Sequence, residues 1–127
     1  MKTMAKILLA EDDDDMRNFL VKALQKAGHE VTSFGEGLSA FEEIKHSSFD
    51  LLLTDIKMPI MDGIALALAA ARDFPDLVIL LMTGFADQRE RAHNLSAIIH
   101  DVITKPFSVA DIRAAVGGAI AARGGAR

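Results

Sequence analysis

The sequence predicts an α/β protein built on a parallel sheet of five strands, each followed by a helix. Short apolar runs of the strand type alternate with segments whose apolar residues recur every three or four positions, which is typical of consecutive βαβ units. All five apolar runs end at polar or turn-forming residues. The run Leu51-Leu52-Leu53 shows no alternation, as expected of a strand that is covered on both faces.

The first half of the chain is predicted to contain three strands and two helices. The first strand covers residues 6–10, and the helix after it is expected to end at Gly28, because glycine commonly terminates helices. Apolar residues recur at helical spacing in this segment: Phe19, Leu20, Ala23, Leu24 and Ala27. A weaker strand over about 30–34 precedes a short helix whose apolar face is Leu38, Phe41 and Ile44. The third strand, over residues 49–54, ends at Asp55.

Turn residues separate the elements of the second half. Pro59 and Asp62-Gly63 mark a loop before an alanine-rich helix that ends near Phe74-Pro75. Strands are predicted over 77–82 and 102–104, and the segment 87–97 between them carries many charges and only a faint helical pattern. Ser108 to Asp111 reads as a capping box for a last helix that runs to about residue 122.

Length and composition indicate one globular domain. The chain has 127 residues, of which 50% are hydrophobic and 25% are charged, so we expect a domain over 4–122, a flexible tail over 123–127 and no output domain. The formal net charge of −4 gives no electrostatic reason to expect binding to nucleic acid or to an anionic membrane. The absence of cysteine excludes disulfides, thiolate nucleophiles and cysteine zinc sites.

Membrane insertion and secretion are not expected either. The longest apolar run covers residues 64–71, far short of the roughly 18–20 residues of a membrane span. Only four apolar residues follow the basic N-terminus before the acidic run 11–15, which leaves no signal-peptide core. The expected location is the cytoplasm.

Polar side chains follow the ends of four predicted strands: Glu11 and Asp12, Asp55, Thr83, and Lys105. Because the carboxyl ends of parallel strands lie at one edge of a sheet, we expect these side chains to meet in one crevice. Two carboxylates about 4 Å apart repel by about 4 kcal/mol at an effective dielectric near 20, so the cluster calls for a cation. Oxygen ligands of this kind suit Mg²⁺.

Each side chain suggests a role in phosphoryl chemistry. The Asp55 carboxylate is a nucleophile that can attack phosphorus and form an acyl phosphate, once cations neutralise the phosphoryl oxygens. Asp12 would bind Mg²⁺ directly, and Glu11 would bind it through water. Lys105 would pair with the phosphoryl group, and the Thr83 hydroxyl would donate a hydrogen bond to one of its oxygens.

The motifs that carry these residues resemble those of the receiver domain of bacterial two-component response regulators. They are Glu11-Asp12, Asp55-Ile56-Lys57-Met58-Pro59 with Asp62-Gly63, Thr83-Gly84, and Lys105-Pro106-Phe107, in the family's order and spacing. The resemblance implies a flavodoxin-like sheet of order 2-1-3-4-5. It also implies Mg²⁺, with the main-chain carbonyl of Lys57 completing the protein ligands.

The same resemblance implies the partner and the reaction. A histidine kinase or a histidine phosphotransferase would donate a phosphoryl group from its phosphohistidine to Asp55. Such a domain is a signalling module rather than an enzyme, since it promotes only its own phosphorylation and dephosphorylation. A monomer is expected.

A narrower resemblance is to the CpdR type of single-domain regulator of α-proteobacteria. It rests on residues 7–13 with Asp15-Met16-Arg17, and on residues 19–24, 51–56 and 83–86. It implies an adaptor that, when unphosphorylated, helps deliver substrates to an AAA+ protease of the ClpXP kind, often at a cell pole. The alternatives are a chemotaxis-type motor regulator and a phosphorelay intermediate.

The sequence departs from the receiver pattern in two places. Val102 stands where the family carries Tyr or Phe, and valine is too small and too stiff to act as an aromatic gate. We therefore expect the signal to travel through the loop and helix after Thr83. Ile98 and Ile99 replace a Gly-Ala turn and are candidates for the core or for a partner surface, while Phe85 is a candidate for the core or for a lid on the site.

A phosphatase of the haloacid dehalogenase type is a remote alternative. Asp12-x-Asp14 follows a hydrophobic strand, and Asp12 would then be the nucleophile. Such enzymes need an acidic metal-binding pair downstream of their lysine, and only Asp111 follows Lys105. The acids 13–15 are interpreted as helix-capping residues, and the four histidines lack metal-ligand spacing.

Overall fold

The computed structural model describes residues 5–125. Strands and helices alternate along the chain as β1 (Lys6–Ala10), α1 (Asp14–Lys26), β2 (Glu30–Phe34), α2 (Gly37–Ile44), β3 (Leu51–Asp55), α3 (Gly63–Asp73), β4 (Val78–Thr83), α4 (Ala86–His93), β5 (Asp101–Thr104) and α5 (Val109–Gly125). The five strands are parallel and form one sheet of order β2-β1-β3-β4-β5. The predicted α/β fold and strand order are confirmed.

The register of the sheet brings the carboxyl ends of four strands to one edge. Ala10 of β1 lies beside Thr54 of β3, so the residues that follow, Glu11 and Asp55, are neighbours. Thr83 of β4 lies beside Thr104 of β5, and the Lys105 amide donates to the Thr83 carbonyl at 2.9 Å. The side chains predicted to form a site therefore share this edge.

Two hydrophobic layers cover the two faces of the sheet. Leu52 of β3 packs in the layer that includes α2 and α3, whereas Leu51 and Leu53 pack in the layer that includes α1 and α5. All three leucines are fully buried, and burying each side chain contributes about 1.5–3 kcal/mol. The absence of alternation in β3 follows from this double cover.

The predicted capping residues hold the helix N-termini. The Asp13 carboxylate accepts from the Met16 amide at 3.0 Å at the start of α1. At the start of α5, the Asp111 amide donates to the Ser108 hydroxyl and the Ser108 amide donates to the Asp111 carboxylate, both at 3.0 Å. The capping box is confirmed, and each such cap is worth about 1 kcal/mol.

Several boundaries differ from those expected. β3 begins at Leu51 rather than at residue 49, because the Asp50 carboxylate and amide are already engaged by the main chain of Lys6. The last helix extends to Gly125 rather than to about residue 122, since Arg123 is bound to Asp50 at 2.9 Å. Residues 126 and 127 of the expected tail, and the expected domain start at Met4, lie outside the described residues.

The segment between β4 and β5 forms a shorter helix than residues 87–97 suggested. α4 ends at His93, and the following turns bring Ile99 into the core at 8% exposure, with Ile98 packed half-buried beside it. Ile99 therefore belongs to the core, and Ile98 packs against the core while staying partly exposed. Among the described helices, none is long and apolar enough to cross a membrane.

Candidate functional site

Three acidic side chains meet at the carboxyl edge of the sheet. Glu11, Asp12 and Asp55 each offer a carboxylate oxygen that lies within 4.8 Å of the other two. Glu11 is 1% exposed and Asp55 is 8% exposed, while Asp12 faces solvent. Hydrogen bonds from the Glu11 amide to the Phe34 carbonyl and from the Ile56 amide to the Met82 carbonyl, both 3.0 Å, hold the strand ends that carry two of these acids.

Lys105 bridges the two buried carboxylates. Its Nζ atom lies 2.9 Å from Glu11 Oε1 and 3.2 Å from Asp55 Oδ1. Lys105 contacts two of the three clustered carboxylates, so the site carries an excess of negative charge when all three are ionised. A charge-assisted hydrogen bond of this kind is about twice as strong as a neutral one.

Burial and charge shift the pKa values of these groups. Burial raises the pKa of Glu11 above its ordinary value, against the hydrogen bond from Lys105. Burial likewise raises the pKa of Asp55, again opposed by the charge of Lys105. Burial alone would lower the pKa of Lys105, but the hydrogen bond to Glu11 and the charge of Asp55 raise it overall. The lysine therefore stays charged, and the carboxylates favour a further cation.

Thr83 and Phe85 form the β4 side of the site. Thr83 is 2% exposed, and its Oγ1 atom accepts from the Phe85 amide at 3.1 Å. The Phe85 ring is 52% exposed, so it does not belong to the core. Lys57 Nζ lies 4.9 Å from the centre of that ring, a distance at which a cation–π contact is favourable. The contact therefore joins the loop after β3, which carries Lys57, to the loop after β4, which carries Phe85.

Gly63 is a site-positioning residue whose role the sequence did not reveal. A Cβ atom at this position would lie 2.0 Å from the main-chain oxygen of Asp55, so only glycine fits. The Gly63 amide donates to the Ile56 carbonyl at 2.7 Å, and Asp62 caps α3 through the Ala65 amide. From the sequence, Asp62-Gly63 predicted only a loop. In the structure, the pair also allows the start of α3 to pack directly on the backbone of Asp55.

The described residues contain no second group of three His, Asp or Glu side chains close enough to hold a metal. None of the four histidines belongs to the acidic cluster. The Asp111 carboxylate accepts from the Ser108 amide in the cap of α5 and is not among the clustered acids, so it does not supply the downstream acid that a dehalogenase-type phosphatase would need at this site. The roles assigned to Asp55, Thr83 and Lys105, and to the Lys57 carbonyl, stay predictions at this stage.

Fold and site together define a receiver domain of two-component signalling. The family model of the response regulator receiver domain matches residues 7–117, and the chain belongs to this family. Over 109 residues the chain is 51% identical to the response regulator receiver protein CpdR of Brucella abortus, covering 86% of this chain and 91% of that protein.

Several other relatives are longer than this chain. The transcriptional regulatory protein DctD of Rhizobium meliloti is 32% identical over 85% of this chain, which spans 24% of that protein. Among solved structures, a receiver domain protein of Clostridium thermocellum superposes with a TM-score of 0.87 at 22% identity, covering 97% of this chain and 99% of its own. The chemotaxis regulator CheY4 of Vibrio cholerae gives a TM-score of 0.84 at 24% identity, covering 92% of this chain and 99% of its own. These structures share the fold.

Proposed function

We propose that this protein is a single-domain response regulator that accepts a phosphoryl group on Asp55 from a phosphohistidine donor. The observation that carries the proposal is the Lys105 ammonium, which lies within hydrogen-bond distance of Asp55 and Glu11 in a crevice at the carboxyl edge of the sheet. A histidine kinase or a histidine phosphotransferase would supply the phosphoryl group.

The acidic cluster suits Mg²⁺ as the cofactor. All three side-chain donors are carboxylate oxygens, the hard ligands that this cation prefers. Glu11, Asp12 and Asp55 would hold the ion together with the main-chain carbonyl of Lys57. When bound, Mg²⁺ offsets negative charge on the carboxylates and on the incoming phosphoryl oxygens.

The chain's own residues account for the transfer. A carboxylate oxygen of Asp55 forms the new bond to phosphorus while the phosphorus–nitrogen bond of the donor breaks, and the donor imidazole keeps that electron pair. Lys105 then pairs with the phosphoryl oxygens in place of the free carboxylate.

The proposed signal passes through the loop after β4. The Thr83 hydroxyl is hydrogen-bonded to the Phe85 amide before phosphorylation, and it would donate to a phosphoryl oxygen afterwards. Since Val102 supplies no aromatic gate, Phe85 and its contact with Lys57 would carry the change to α4. Phosphorylation thus biases two conformations of this surface.

Identity to CpdR over most of both chains supports a specific output. We infer that the unphosphorylated protein is an adaptor that delivers selected substrates to an AAA+ protease of the ClpXP kind, at a cell pole, and that phosphorylation switches this delivery off. A chemotaxis-type motor regulator and a phosphorelay intermediate are the competing outputs.

Intact-protein mass spectrometry after incubation with acetyl phosphate and Mg²⁺ tests the phosphorylation step. We expect one phosphoryl group on the wild-type protein and none on Asp55→Asn. Asp62→Asn is a matched control, because asparagine retains the cap of α3, and it should be phosphorylated like the wild type. Equal phosphorylation of Asp55→Asn would refute the proposal.

A further inference from the structure

Arg17 occupies a confined position next to the acidic cluster. It lies in the first turn of α1, and its side chain is 21% exposed. One guanidinium nitrogen, Nη1, donates to the main-chain carbonyl of Glu11 at 2.8 Å, and the other, Nη2, donates to the Asp14 carboxylate. A Cβ atom on Gly35 would lie 3.2 Å from Nη1. The guanidinium therefore lies between the loop after β1 and the turn after β2.

The contact with Glu11 acts on the backbone between two acids of the cluster. The Glu11 carbonyl belongs to the peptide bond that joins Glu11 to Asp12, so a hydrogen bond to this oxygen holds the plane of that peptide. Glu11 has further support, since its carboxylate accepts from Lys105 and from the Asp13 amide. Within the part of the chain that the structure describes, the exposed Asp12 carboxylate has no hydrogen-bond or ion-pair partner.

The orientation of Asp12 thus depends on its backbone. Because Arg17 donates to a main-chain oxygen and to Asp14, it leaves the oxygens of the three clustered carboxylates available to a cation. We propose that Arg17 is a positioning residue, whose hydrogen bond to the Glu11 carbonyl places Asp12 for Mg²⁺ binding. This inference rests on the proposed function, in which these acids hold Mg²⁺.

The substitution Arg17→Met separates positioning from electrostatics. Methionine keeps an apolar stem but loses both donors and the positive charge. Removal of a nearby positive charge would, by Coulomb's law alone, strengthen the binding of a cation. Loss of positioning should instead weaken it, and the loss of a residue that supports a metal ligand typically costs about tenfold in affinity. The direction of the change therefore decides between the two effects.

The experiment is a titration of the unphosphorylated protein with Mg²⁺ alone, followed by the amide chemical shifts of the site. We expect the Mg²⁺ dissociation constant to rise about tenfold in Arg17→Met. Arg113→Met is the matched control, because Arg113 also donates to a main-chain carbonyl, that of Ala23, at 3.3 Å. Its Mg²⁺ affinity should stay within about twofold of the wild type, since the charge it removes is screened by salt.

A second variant and a stability measurement complete the design. Arg17→Lys keeps the charge and can pair with Asp14. One ammonium does not reproduce the simultaneous hydrogen bonds of the guanidinium to the Glu11 carbonyl and to Asp14, so this variant should also bind Mg²⁺ more weakly. A purely structural role would lower the unfolding midpoint and leave the Mg²⁺ affinity of the folded protein unchanged. Unchanged or tighter binding in both Arg17 variants would overturn the inference. A wild-type protein that did not bind Mg²⁺ would instead overturn the proposed metal site itself.

Discussion

Lys105 holds two buried carboxylates through one compact ammonium group. Arginine carries the same charge as a planar fork, which does not fit between Glu11 Oε1 and Asp55 Oδ1 in the same way. We expect Lys105→Arg to slow phosphorylation of Asp55 by acetyl phosphate about 100-fold, as for the loss of one donor to a developing negative charge. The rate is measured by intact mass against time. A rate close to that of the wild type would show that the site needs only a positive charge here.

Ile60 is an exposed residue in a strained backbone conformation. It has a φ angle of +70° and is 77% exposed, although a β-branched side chain is disfavoured in the left-handed region. Asparagine tolerates this region, so Ile60→Asn should raise the free energy of unfolding by about 1 kcal/mol, as measured by urea titration.

The control for this prediction is Leu68→Asn. Leu68 is also exposed, at 48%, but it lies inside α3, where asparagine is a poorer helix former than leucine. This variant should be less stable than the wild type by about 0.5 kcal/mol. Destabilisation by both substitutions would contradict a specific strain at Ile60.

At the scale of elements, Asp50 connects three of them at the edge of the sheet opposite the acidic cluster. Its carboxylate accepts from the Lys6 amide of β1 at 2.8 Å and from Arg123 of α5 at 2.9 Å, directly before β3 begins. The hydrogen bond from the Lys6 amide, followed by that from Arg123, lowers the pKa of Asp50 against the effect of burial. Ionised Asp50 therefore stabilises the folded state.

The sign of this shift predicts how stability depends on pH. Because the folded pKa lies below the unfolded one, the contribution is complete above the unfolded value near 4 and disappears as pH falls through the folded value. Asp50→Asn should cost about 1 kcal/mol at pH 7 and less at pH 3, discounted here for partial exposure. Urea unfolding at both values measures this difference, and an equal cost at both would contradict it. Mg²⁺ affinity should not change, since Asp50 lies at the amino-terminal end of β3 and the acidic cluster lies at the carboxyl end of the strands, and separate sites usually act independently.

The elements themselves could be predicted well because the strands are continuous apolar runs. Leu51 to Leu53 are buried on both faces, and burial dominates any local preference there. The sequence predicts α4 only faintly. Of its 8 residues, Ala92 alone is buried, so the helix needs almost no hydrophobic periodicity. The ends of β3 and α5 differ from expectation because Asp50 and Arg123 act through tertiary contacts that no local pattern encodes.

The members of the candidate site could be inferred from strand order and motifs, whereas their detailed contacts could not. Parallel topology alone brings Glu11, Asp55 and Lys105 to one edge. By contrast, the exposure of Phe85 and the contact between Arg17 and the Glu11 carbonyl depend on side-chain direction, and the close approach of Gly63 to Asp55 depends on how the backbone of α3 packs. An apolar residue such as Ile99 is equally compatible in sequence with the core and with a partner surface.

At the scale of the whole molecule, the proposed signalling requires phosphorylation to change a surface as well as a side chain. Thr83→Ala removes the hydroxyl that binds the Phe85 amide while leaving Asp55 and Lys105 in place. Phosphorylation should persist in this variant. Coupling of this kind typically changes partner affinity about 5- to 150-fold. In Thr83→Ala, partner affinity should be about the same with and without phosphorylation.

Thr104→Ala is the control for that measurement. Thr104 lies beside Thr83 in the sheet, but it is exposed and is the last residue of a different strand, β5, so its loss should leave the coupling intact. Partner affinity is measured with and without beryllofluoride, which mimics the phosphoryl group. Equal discrimination by Thr83→Ala and the wild type would exclude the Thr83 hydroxyl from signal transmission.

The most direct test of phosphorylation-controlled partner binding is affinity capture from a lysate of the source organism by the wild-type protein, with and without beryllofluoride and Mg²⁺. Asp55→Asn, which should not bind beryllofluoride, is the control, and mass spectrometry identifies the bound proteins. We expect the wild-type protein to retain an AAA+ unfoldase and its substrates only in the absence of beryllofluoride, and Asp55→Asn to retain them in both conditions. The same set of proteins on the wild-type protein in both conditions would contradict a phosphorylation-controlled adaptor.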